Sequence, residues 1–259
     1  MLRTDSVGRR SILGGLLLLA LLAGCQGGAN LAFWTWWKPA AYAGDARELF
    51  SAIHERYQTL QGCQLEYDVR VTENGATRER WGTAWVRGTG VRLEEEVSFA
   101  PLRGASQEVR VCDGRETWVY HPGEAAATVQ PLSPETQKRL AEQVAEWGPL
   151  SQVLDVPAPG PNLQVEEVAT RRGKRLRIET AQGSPGGREA WFRRVVLVDA
   201  RDFALQQVEV QGARLEDGRL VEYNRLQRYW NYQLNPELTD DLFQFSPPPK
   251  TRVERLPPR

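Results

Sequence analysis

Histidine, cysteine and methionine are scarce in this chain. Two histidines (His54 and His121), three cysteines (Cys25, Cys63 and Cys112) and one methionine are spread over 259 residues. No CxxC pair and no HExxH run occurs, and His54-Glu55 has no second histidine four residues on, so no metal and no other cofactor is expected. There is no G-x-S-x-G elbow, and Gly88-Thr89-Gly90 is a turn rather than a phosphate loop because no helical pattern follows it. With no nucleophile and base to pair, no catalytic residue can be named and the chain is not expected to be an enzyme. An excess of charge is missing as well. Thirty-three basic residues face thirty-three acidic ones, so nothing draws the protein to nucleic acid. Nine tryptophans set against the single methionine give the apolar surface large, rigid rings instead of adaptable thioethers.

The first 24 residues read as an export signal. Arg3, Arg9 and Arg10 precede an apolar run over residues 12–23 that is too short to span a bilayer and suits a signal-peptide core. The run closes on Leu22-Ala23-Gly24-Cys25, which resembles a bacterial lipobox. The resemblance implies that Cys25 carries acyl chains such as palmitate and becomes the mature N-terminus. Arg9-Arg10 also resembles the start of a twin-arginine signal. Removal of residues 1–24 leaves 30 basic and 32 acidic side chains, a net charge of −2. Residues 25–44 read as a lipidated tether. Its rings Phe33, Trp34, Trp36 and Trp37 have two readings, at the headgroup level of the membrane or packed on the domain. Export also opens two fates for Cys63 and Cys112, a disulfide or two buried free thiols.

The rest reads as one domain over residues 45–250, with a tail at 251–259. Asp45 caps an amphipathic helix that carries Leu49, Phe50, Ile53, Tyr57 and Leu60 on one side. The period then falls to two at Cys63, Leu65, Tyr67, Val69 and Val71, a strand with one wet face. Asn74-Gly75 and Asp113-Gly114 mark hairpin turns in a meander of about five strands. The stretch 122–162 reads as an excursion from the sheet. Within it, Ser133-Pro134 starts a second helix, with Leu140, Val144 and Trp147 along one side, ended by Gly148-Pro149. Strands resume over residues 163–169, 175–180, 191–199, 205–211 and 220–232, and a short one at 242–246 is stopped by prolines. Ten or so strands with few helices predict a mainly β, α+β fold: a large curved antiparallel sheet, because so many strands must curl.

Three motifs in order resemble the LolA-like family of outer-membrane lipoprotein-sorting proteins. They are Asp113-Gly114 leading to Trp118 and Tyr120, Trp85-Val86-Arg87 leading to Val91-Arg92-Leu93-Glu94, and the close from Asp241 through Phe243 and Phe245 to the prolines. The resemblance implies an unclosed half-barrel with a helical lid, holding acyl chains of lipid or lipoprotein. Under it, Trp81, Trp85, Leu93, Val97, Trp118 and Tyr120 are the expected cavity residues, and Leu140, Val144, Trp147 and Leu150 the expected lid face. The lipobox sets the chain apart from carriers that must diffuse. The expectation is a monomeric envelope lipoprotein, anchored to the outer leaflet of the cytoplasmic membrane or to the outer membrane, that binds lipid or acylated polypeptide. The alternative is a regulatory or interaction lipoprotein on the same fold. Cys25→Ser should move the protein from the membrane to the soluble fraction and end palmitate labelling; fractionation of cells fed radiolabelled palmitate checks both.

Overall fold

The structure is a computed structural model that describes residues 40–41, 44–100, 104–154, 162–171, 173–183, 185, 190–216 and 219–258. The signal segment, Cys25, the ring cluster of the tether, the proline-rich stretch 157–161 and the turn at 217–218 lie outside the described residues.

Two periodic patterns in the sequence build the fold. The 3.6-residue stripe gives helix α1, Ala46–Gln58, whose Asp45 side chain accepts from the Arg47 N–H at 2.7 Å. Helix α2, Pro134–Trp147, opens on Ser133, whose hydroxyl accepts from Thr136 N–H at 3.2 Å, with proline in its first turn. The period-two segments give, among the described residues, thirteen strands in one sheet. A two-residue β1 (Ala40–Ala41) and a short β13 (Arg252–Arg255) lie at its edges. The first half runs β2 (Gly62–Glu73), β3 (Ala76–Arg87), β4 (Gly90–Ala100), β5 (Ala105–Cys112), β6 (Glu116–Tyr120) and β7 (Ala126–Pro131). The second runs β8 (Gln164–Thr170), β9 (Gly173–Gln182), β10 (Trp191–Asp199), β11 (Leu205–Glu216) and β12 (Arg219–Leu234).

The strand order is β1-β8-β9-β10-β11-β12-β2-β3-β4-β5-β6-β7-β13, so each half is a meander and the β12–β2 pairing joins them. The two end strands do not pair with each other, and the sheet is unclosed, as the sequence led one to expect. Neighbours are antiparallel except β13 and β7, which are parallel. Local chemistry sets the hairpins. Asn74 and Gly75 have φ of 50° and 77°, the left-handed pair that a two-residue hairpin turn requires. At the β5–β6 turn the Asp113 carboxylate accepts from the N–H groups of Arg115 and Glu116 at 2.8 and 2.9 Å.

One face of the sheet is packed by α1. Leu49, Phe50, Ile53 and Tyr57 are its buried stripe. They meet Cys63, Leu65, Ala84 and Val86 from the first half and Leu176, Val196, Val198 and Leu205 from the second, in one buried cluster. The Tyr57 hydroxyl donates to Phe203 O at 3.1 Å and accepts from Leu205 N–H at 2.8 Å, tying α1 to the β10–β11 turn. One helix thus touches both halves, and the sheet wraps around it.

The structure holds the second of the two fates left open for Cys63 and Cys112, and several other expectations need correction. Cys63 and Cys112 are free thiols. Cross-strand register places them in one row, Cys63–Val86–Val91–Cys112, so two strands stand between them. Three inter-strand spacings come to about 14 Å, beyond the reach of a disulfide. The strand expected over 242–246 is instead a 3₁₀ turn, Asp240–Phe243, followed by irregular chain. The last strand comes later, at Arg252–Arg255, so residues read as a tail extend the sheet, and Ala40–Ala41, read as tether, does so at the other edge. The stretch 122–162 is not wholly an excursion, because β7 lies within it and pairs with β6.

Burial pushes the Tyr57 phenol and the Cys63 thiol each up to about 12. Both groups fold only in the protonated form. Their contribution is complete below the unfolded values, about 9 for the thiol and 10 for the phenol. It is lost as pH climbs toward about 12. Stability measured by urea midpoint should therefore fall steeply between pH 9 and 12. Tyr57→Phe, at the cost of about 1–3 kcal/mol near neutral pH from the Leu205 N–H left without a partner, should flatten that decline.

Candidate functional site

Directly paired residues in an antiparallel sheet share a face, so the register sorts every side chain. The helix face carries Leu65–Ala84–Leu93 in one row and Tyr67–Gly82–Glu95–Glu108 in the next. Val97 lies on it too, opposite Arg80. The outer face carries Gln64–Trp85–Arg92–Val111–Trp118–Val129 and Asp68–Trp81–Glu96.

Of the six residues expected to line a cavity, Leu93 and Val97 therefore lie on the helix face of the sheet, Leu93 packed against the α1 cluster, whereas Trp81, Trp85, Trp118 and Tyr120 lie on the opposite face. The reason is volume. A helix that brings Leu49, Phe50, Ile53 and Tyr57 to the sheet needs small side chains beneath it, and β2 and β3 supply Cys63, Ala84 and Val86. The rings are left for the other side. There the C-terminal segment covers some of them: Phe245 stacks on Trp118 and Tyr120 with centroids 5.3 and 5.7 Å apart. Phe243 lies so close to Gly90 that an added Cβ would meet its ring at 2.9 Å. Arg87 holds the segment down through Leu238 O and Asp240, its guanidinium 5.2 Å from the Phe243 centroid. Trp81 remains 36% exposed.

The expected lid face divides in the same way. Leu150, in the 3₁₀ turn Pro149–Gln152 after α2, is fully buried in the α1 cluster. No residue of α2 is buried, and Leu140, Val144 and Trp147 are half-buried. Trp147 packs edge-on against His54 of α1 at 4.7 Å, and Gln58 donates to Ala145 O at 3.3 Å. α2 therefore braces the outer side of α1, and α1 is the helix that covers the sheet.

The helix face also carries a buried polar row. Glu95 and Glu108 are direct cross-strand partners, 4% and 6% exposed. Two carboxylates so placed repel each other unless cations balance them. Arg80 lies 3.9 Å from Glu95, Arg110 pairs with Glu108, and His121 Nε2 is 3.9 Å from Glu108. Tyr67, on β2, reaches Glu95, on β4, because the residue between them is Gly82, which leaves the ring free to cross β3. Burial, then the Glu95 carboxylate, push the Tyr67 phenol well above its ordinary value. The second Glu95 oxygen has no hydrogen-bond partner among the described residues. Sequence reasoning missed this cluster. Its trace there was the break in alternation at Glu94-Glu95-Glu96, where an acid falls on the apolar phase.

No protein-family description matches the chain, and no curated protein matches it. Solved structures show distant likeness. An uncharacterized conserved protein from Thermus thermophilus aligns at 14% identity and TM-score 0.43, over 82% of this chain and 99% of that one. A DUF1329 family protein from Desulfovibrio piger gives 13% identity and 0.31, over 76% and 96%. An outer membrane lipoprotein-sorting protein domain from Vibrio parahaemolyticus gives 9% identity and 0.29, over 76% and 94%. These overlaps describe chain path alone, and the chemistry of this chain has to be read from its own side chains.

Tyr67→Phe should leave the buried Glu95 carboxylate without its hydrogen bond and lower the unfolding free energy by about 1–3 kcal/mol, toward the upper end because the acceptor is charged. A double-mutant cycle with Glu95→Gln, read by urea midpoints, should give a coupling of at least about 0.5 kcal/mol.

Proposed function

We propose that this chain is an envelope lipoprotein, anchored through Cys25, whose half-barrel takes up the acyl chain of a lipid or lipoprotein in the place that α1 occupies. The observation that supports this reading is the cover of the apolar face: the face formed by Cys63, Leu65, Val86, Val196, Val198 and Leu205 is closed by the stripe of one amphipathic helix. The energies are matched. Four buried side chains at about 1.5–3 kcal/mol each give α1 roughly 6–12 kcal/mol of hold on the sheet. A buried acyl chain of about fourteen methylenes gains about 11 kcal/mol at about 0.8 each. An acyl chain can therefore compete with the helix, and uptake requires α1 to give way together with its brace α2.

The test is titration of a fluorescent acyl-chain probe into the Cys25→Ser protein, with the native tryptophans as energy donors. Saturable uptake is expected. Phe50→Ala should tighten it by about tenfold or more, because it weakens the closed form that the ligand must displace. Trp85→Glu, on the outer face, should leave uptake unchanged. The complete burial of Ile53, Leu65, Val86 and Val198 favours a second reading, in which the core stays closed and the chain is a regulatory or interaction lipoprotein. Absence of saturable uptake in both the wild-type sequence and Phe50→Ala would select that second reading.

A further inference from the structure

A cleft separate from α1 opens on the outer side of the sheet, where the Asn74-Gly75 turn and the first residues of β12 lie near the start of β10. It measures about 540 Å³ and is shallow, and its lining includes Thr72, Trp191, Gln211, Leu220, Glu222 and Asn224. The register explains the hollow. Trp191, Ala213 and Glu222 form one cross-strand row, so the small Ala213 lies between an indole on one side and a carboxylate on the other. The adjacent row is Gln211–Asn224–Thr72, three uncharged hydrogen-bonding side chains in line across β11, β12 and β2. Leu220, 37% exposed, bounds the far end.

Two of the polar groups here are engaged, Thr72 sharing a 3.0 Å hydroxyl hydrogen bond with Thr77 and Gln211 donating its amide N–H to Glu209 at 2.7 Å, and the others are uncommitted. Trp118 and Trp230 donate their indole N–H to Glu116 and Glu66, but among the described residues neither the Trp191 indole nor the Asn224 or Glu222 side chain has a hydrogen bond or ion pair. Among the described residues no basic side chain lines the cleft, so this lining offers no cationic partner to a phosphate or a fatty-acid carboxylate. A half-buried flat ring, two amides, a hydroxyl and one carboxylate around an open hollow suit a ligand with alternating C–H faces and hydroxyl edges, the ring taking the former and the polar groups the latter. We propose that this cleft binds a neutral oligosaccharide, with Trp191 as the stacking platform and Asn224, Gln211 and Glu222 reading the hydroxyls. The site shares no residue with the apolar face beneath α1, so it stands or falls independently of acyl-chain uptake.

The test uses the full chain in detergent micelles with three neutral probes, chitotetraose, cellotetraose and maltotetraose, and a heparin tetrasaccharide as anionic comparison. Saturation-transfer NMR and tryptophan fluorescence read binding. At least one neutral probe should bind saturably, Trp191→Ala should weaken it at least tenfold, and Trp191→Phe should recover part of the loss. Asn224→Ala, at an exposed position with no part in the core, should weaken binding several-fold with unfolding unchanged. Binding of none of the neutral probes, preference for the heparin fragment, or wild-type affinity in both Trp191→Ala and Asn224→Ala would overturn the proposal.

Discussion

The packing of α1 against the sheet is the contact on which the rest of the structure depends. Its four buried side chains lie against strands from both meanders, and the Tyr57 hydroxyl bridges to the β10–β11 turn. Between the meanders the sheet itself supplies only the β12–β2 pairing. A single pairing fixes a register but not a curvature. The helix fixes the curvature by giving both halves something to wrap, and the small residues beneath it, Cys63, Ala84 and Val86, are the complement of its bulk.

The outer face then needs a solution of its own, because alternation puts large rings there. The C-terminal segment provides it for part of the face. Asn235 accepts from Gln61 N–H at 2.8 Å as the chain leaves β12, Arg87 holds the next turn, and Phe243 and Phe245 settle over Gly90, Trp118 and Tyr120. The chain then runs back to add β13 beside β7. The same sheet thus carries an apolar core on one side and a ring-bearing surface, part covered and part open, on the other.

The polar row Tyr67–Glu95–Glu108 is set inside the helix face, with the buried Val69 and Val97 one row beyond it. Buried carboxylates are tolerated only where cations and hydroxyls surround them, and Arg80, Arg110 and Tyr67 do that here.

Much of the fold was legible in the sequence because it is local. Asp45 and Ser133 cap their helices, Asn74-Gly75 and Asp113-Gly114 turn their hairpins, and period-two alternation marks the strands, each through contacts within a few residues. Alternation separates two faces without saying which is inside. The sequence could therefore group Trp81 with Trp85, but only the tertiary fit of α1 decided that this group faces outward and that Ala84 and Val86 face the helix. The row that keeps Cys63 from Cys112 is decided by strand order, which no single strand encodes. The same holds for the polar cleft at Trp191, whose walls come from β2, β10, β11 and β12 and meet only once the hairpins are side by side. Sequence determined the elements, since their causes lie within a few residues; the tertiary structure decided inside from outside, since that depends on which surfaces fill each other's volume.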